Sequence, residues 1–110
     1  MTTEERMSIA STILAHLGAH KFTVMVGAEG YTVSEDGGLS FHLPQTNEKR
    51  VNYVTVLLDA NDTYTMTFER VRRLKREPYI ERKLIERRTD VYFDAMQDVF
   101  THVTGLDTHL

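Results

Sequence analysis

Met7, Ala10, Ile13, Leu14 and Leu17 fall three and four residues apart, with Arg6, Ser8, Ser11 and Thr12 between them, the pattern of an amphipathic helix. Thr2 followed three residues later by Glu5 suits a capping box, and Gly18 suits the left-handed residue that ends a helix. The spacing therefore predicts a helix over 3–17. From Lys21 the period shortens to two, with Phe22, Val24 and Val26 on one side and Thr23 and Met25 on the other, which predicts a strand over 21–26.

Gly27, Gly30 and the run Ser34-Glu35-Asp36-Gly37-Gly38 then loosen the backbone before Leu39, Phe41 and Leu43 alternate with Ser40 and His42. Pro44 stops this second strand. Residues 52–58 are rich in β-branched and aromatic types and apolar on both faces, as a central strand requires. Asp59-Ala60-Asn61-Asp62 turns the chain into 63–68, where Tyr64, Met66 and Phe68 point inward and Thr65 and Thr67 outward. Beyond Glu69, Pro78 interrupts the pattern, and Tyr79-Ile80 with Leu84-Ile85 fits a fifth strand slightly better than a helix. Asp90 suits an N-cap, Tyr92, Ala95, Met96, Val99, Phe100 and Val103 share one helical face, and Gly105 with Leu106 suits its end. The order α-β-β-β-β-(β)-α predicts a two-layer α+β fold: an antiparallel four- or five-stranded sheet with N- and C-terminal helices on one face.

Composition bounds this picture without changing it. At 110 residues, 41% apolar and 26% charged, the chain has the size and make-up of a single domain spanning 1–110. It has no cysteine, which excludes thiolate catalysis, disulfides and cysteine-ligated zinc. The polar start Met1-Thr2-Thr3-Glu4-Glu5-Arg6 and the lack of a long apolar run predict a soluble protein of the (host) cytoplasm, without a membrane partner.

Charge changes the picture more. Residues 69–88 hold nine of the thirteen Lys and Arg residues against four glutamates, a net +5, which leaves −8 on the rest of a chain whose total is −3. Such asymmetry steers a polyanion or an acidic protein to one part of a surface. We expect a basic arm or extended hairpin here, in which Arg70, Arg72, Arg73, Lys75, Arg76, Arg82, Lys83, Arg87 and Arg88 bind a partner or phosphates and Tyr79 stacks on a base. The competing reading is an edge strand kept apart from other edges by its charge.

Ile13-Leu14, Leu17-Gly18, Lys21-Phe22, Met25, Gly27-Ala28 and Leu39-Ser40-Phe41 with Leu43-Pro44 form a string that resembles a family of small uncharacterised proteins encoded by bacteriophages and integrated mobile elements. Asn52-Tyr53-Val54, Asp62-Thr63-Tyr64, Phe68, Asp90-Val91-Tyr92, Phe100 and Thr104-Gly105-Leu106 continue the resemblance in the same order. It implies a phage or mobile-element origin and no particular activity or site residue. An anti-defence inhibitor fits that size and origin. Residues 75–88 look longer and more basic than the family's pattern.

The remaining candidates read more simply as structure. His16 and His20 have the i, i+4 spacing of a helical metal pair, but Gly18 ends the helix between them. His42 and His102 have no sequence-local partner for acid–base work. Asp59, Asn61 and Asp62 lack the glycine and terminal glutamate of a calcium loop and read as a turn. Asp90, Asp94 and Asp98 would form an acidic stripe on the last helix, able to pair with the arm. The Gly27–Gly30 turn lacks the lysine of a phosphate loop. The expectation is a non-enzymatic accessory protein, without cofactor, metal or catalytic residues, that binds a host protein or a second copy of itself; the alternative is a nucleic-acid-binding protein using 70–88.

Overall fold

The computed structural model describes residues 1–44 and 50–108. The chain forms α1 (Thr3–Leu17), α2 (Ala19–Val26), β1 (Glu29–Ser34), β2 (Gly38–His42), β3 (Tyr53–Leu58), β4 (Tyr64–Arg73) and β5 (Ile80–Val91). A short 3-10 turn (Phe93–Ala95) then leads into α3 (Met96–Thr104). The five strands form one antiparallel sheet in the order β1-β2-β3-β4-β5. This is the expected α+β architecture, with helices from both ends of the chain packed on the sheet.

The helix over 3–17 forms as its sequence dictates. Thr2 caps it, its hydroxyl oxygen accepting from the Glu5 N–H at 3.1 Å. Ala10, Ile13 and Leu17 are buried, whereas Met7 turns outward and leaves the apolar stripe. Gly18, at φ +121°, closes the helix by donating its N–H to Leu14 and Ala15, a conformation side chains resist.

The strand expected over 21–26 is instead the helix α2, set at 65° to α1. Phe22 and Val26, four residues apart, are its buried positions, while Val24, which a strand would place beside them, is 66% exposed. A six-residue stretch with four apolar positions satisfies either period, and packing under the sheet decides between them. The strand count is made up by β1, in the stretch read from its glycines as a loop. Tyr31 ties β1 to the helices: its ring lies 5.5 Å from that of Phe41, and its hydroxyl is 2.6 Å from that of Thr23. Gly38 lets β2 approach β3, since a Cβ there would stand 2.2 Å from the Val56 carbonyl oxygen.

The 52–58 strand, the Asp59–Asp62 turn and the inward Tyr64, Met66 and Phe68 match the sequence reading. Asp90 does not cap a helix. It lies in β5 at φ +54°, beside a register shift against β4, and the chain stays extended through Tyr92 before α3 begins at Met96. Tyr92 is 64% exposed and outside the helix, and Asp90, Asp94 and Asp98 fall on three different elements, so the acidic stripe does not exist. Met96, Phe100 and Val103 are buried, and Gly105 caps α3 in the left-handed region.

Phe100 joins the two layers. Its ring lies 5.0 Å from Phe22 and 6.4 and 6.5 Å from Phe68 and Phe41. We expect Phe100→Ala and Phe68→Ala each to lose about 3–5 kcal/mol in denaturant unfolding. Phe93→Ala, at a ring that is 60% exposed, should change stability far less. Burial raises the Tyr31 hydroxyl above its ordinary pKa, partly offset by its Thr23 bond, and burial with Asp62 nearby raises that of Tyr64. The unfolded tyrosines ionise near 10.0 while the folded ones still hold their protons, so stability should fall as pH rises through that value. Tyr31→Phe should flatten the decline in melts taken between about pH 8 and 11.

Candidate nucleic-acid interface

The basic segment is the outer part of a hairpin longer than the sheet that carries it. β3 has six residues, β4 ten and β5 twelve. The β3–β4 ladder ends at Tyr53 opposite Glu69, so among the described residues β4 beyond that point pairs with β5 alone. Asn52 guards the junction. Its amide nitrogen donates to the Val71 carbonyl at 2.8 Å and its amide oxygen accepts the Val71 N–H at 2.7 Å. A side chain thus supplies the donor and acceptor that another strand residue would have given.

Past the junction Arg70 faces Lys83, Val71 faces Arg82, Arg72 faces Glu81 and Arg73 faces Ile80. The turn closes through Leu74 N–H to the Tyr79 carbonyl and Tyr79 N–H to the Arg76 carbonyl, both at 2.8 Å, around a cis Glu77–Pro78 peptide. Residues opposite one another share a face. Arg70, Arg72, Glu81 and Lys83 therefore continue the face on which Phe68 points to the core. Val71, Arg73, Ile80, Arg82 and Leu84 continue the other.

The sequence-predicted residues separate into two groups. Arg72 pairs with Glu81 at 2.6 Å, Arg82 with Glu69 at 3.4 Å, and Arg88 with Glu86. Arg82 also lies 5.1 Å over the Tyr53 ring, itself 4.9 Å from His42. These three arginines are held inside the protein's own network. Arg70, Arg73, Lys75, Arg76, Lys83 and Arg87 have no ion pair among the described residues, and Glu77 is the only carboxylate of the arm left with them. Tyr79 sits in the turn, left-handed and 57% exposed.

Sequence reasoning missed two features. The sequence places Asn52 as the first residue of a strand, and nothing local points to Val71 as its partner. Ile80 and Leu84, 56% and 50% exposed, share one face with Val71 because the register shift near Ile85 separates Leu84 from the inward Glu86. That shift, the second near Asp90 and the alternating charges make β5 a poor template for another strand. The β1 edge is also broken, between Glu29 and Thr32.

The other candidates lie apart from the arm. His16 packs against Phe93 and Tyr64, with ring separations of 5.2 and 6.1 Å, and His20 and His102 are exposed on α2 and α3. Asp59 accepts from the Thr65 hydroxyl and Asn61 from that of Thr63, both at 2.7 Å, which fixes the turn. Among the described residues no three His, Asp or Glu side chains gather as a metal site, and no single helix is long and apolar enough to cross a membrane. The β1–β2 and β3–β4 turns, with Glu35, Asp36, Asp59 and Asp62, lie at the opposite end of the strands from the arm. Charge of opposite sign thus occupies the two ends of the sheet. Compared with protein-family models, curated proteins and solved structures, the chain matches none.

Proposed function

We propose that this is a non-enzymatic binding protein whose working part is the arm, and that the arm holds nucleic acid. The observation that carries the reading is the distribution of the six cations that have no ion pair among the described residues: Arg70 and Lys83 on one face, Arg73 and Arg87 on the other, Lys75 and Arg76 in the turn. Four glutamates spread through the segment suggest a diluted field, but three of them are occupied by arginines of the same hairpin. What an approaching molecule meets is a concentrated positive surface, with the acidic turns held at the far end. The resemblance to phage and mobile-element proteins supplies an accessory setting for such a role.

A second reading rests on a different observation. Val71, Ile80 and Leu84 on one face, with Arg73 and Arg82 among them and Tyr79 at the turn, have the aromatic, aliphatic and arginine make-up of a protein-binding patch. A host protein is its natural partner. Self-association through a strand edge is disfavoured by the register shifts.

Fluorescence anisotropy of labelled DNA and RNA separates the two readings. If all six cations meet phosphates, affinity should fall about a thousandfold between about 50 and 200 mM salt. The double variant Arg73→Glu/Arg76→Glu should lose at least about tenfold in affinity with an unchanged melt. Ile80→Ser/Leu84→Ser should lose much less. The absence of binding at the lower salt, or a flat response to salt, would reject nucleic acid and leave the apolar strip as the site.

A further inference from the structure

Resting on the reading of the arm as a nucleic-acid site, we infer that its ligand is B-form duplex DNA, taken along the major groove as a two-stranded ribbon. Three observations lead there. The first is the arrangement of charge. A ribbon lying flat on one strand of phosphates needs cations on one face only, whereas the free pairs here carry cations without an ion pair among the described residues on both faces, Arg70 and Lys83 on one and Arg73 on the other, with Lys75 and Arg76 in the turn; Arg87, opposite Thr67, sits below them on the sheet. A groove presents phosphate walls to both sides of whatever enters it.

The second observation is shape. Four cross-strand pairs, from Arg70 opposite Lys83 to Arg73 opposite Ile80, project past the end of β3 with no third strand beside them among the described residues. At about 3.4 Å per residue this gives about 14 Å of free ribbon before the turn. The B-DNA major groove, about 12 Å wide and 8.5 Å deep, admits a two-stranded ribbon; the minor groove, about 6 Å wide, does not. The major groove of duplex RNA is too narrow and deep for side chains to read.

The third observation is the poverty of stacking surface. Binding of single strands rests on successive aromatic platforms. The free part of the arm offers Tyr79 alone, and Tyr53 at its base already lies under Arg82. Arg70 opposite Lys83, two cations directly across the ladder, is an arrangement that costs stability unless an anion lies over it. Phosphate contacts dominate such a site, so binding should tolerate most sequences.

The test compares the full chain on one labelled duplex DNA, its separate strands and the matching RNA duplex at about 50 mM salt, with dimethyl sulfate footprinting of guanine N7. Duplex DNA should bind at least about tenfold more tightly than either alternative, and N7, which lies in the major groove, should be protected. Arg70→Glu/Lys83→Glu on one face and Arg73→Glu on the other should each weaken binding by at least about tenfold without changing the melt. Equal or tighter binding of single strands or RNA, unprotected N7, or loss from one face only would overturn the groove and leave the arm as a nucleic-acid site. Binding to none of the three would overturn both.

Discussion

Among the described residues β4 and β5 continue past the end of β3 without a third strand, and most of what sets this molecule apart follows from that mismatch in length. A hairpin without a neighbouring strand leaves backbone groups of β4 open just beyond the sheet. Asn52 closes the first of them by bonding both polar groups of Val71, which fixes where the sheet ends and the arm begins. Beyond that point most residues of the hairpin are exposed, so they are free to be charged. The cationic composition of the segment and its free-standing geometry are therefore two aspects of one constraint.

The two parts of the molecule are stabilised differently. The body rests on a buried aromatic cluster, Phe22, Phe41, Phe68 and Phe100, at which helices from both ends of the chain meet the sheet. The arm rests on its ladder, its turn and three partly exposed ion pairs, each contributing about 0–1 kcal/mol. Those pairs set orientation more than stability. They hold Arg72, Arg82 and Arg88 against the protein's own glutamates and leave the other six cations without an ion pair among the described residues. Arg70 opposite Lys83 departs from local optimisation, and departures of that kind concentrate where a protein meets its ligand.

Much of the body was legible because its patterns were long or unambiguous. The 3–17 helix had a cap, a stripe and a terminating glycine, and 63–68 alternated cleanly between core and solvent. The failures have specific causes. Residues 21–26 were too short for period to decide, and the contact of Phe22 with Phe41 and Phe100 fixed them as helix. Glu29–Ser34 was hidden by its glycines. Asp90 had the right chemistry for a cap but lies at a bulge, a feature set by cross-strand register that no local sequence encodes. The arm was visible as charge from the outset. Which cations remain free was not, because pairs such as Arg82 with Glu69 depend on the register between two strands.

In the proposed complex the outer hairpin, and no other surface, meets nucleic acid, with both of its faces engaged. Backbone amide NMR of the full chain, titrated with a short duplex DNA, tests this most directly. Shifts should concentrate in 70–88, at Arg70 and Lys83 as well as at Arg73, with α1 and α3 unmoved. Shifts centred on the helical layer or on the Tyr92–Phe93 surface, or no shifts at all, would contradict the proposed complex.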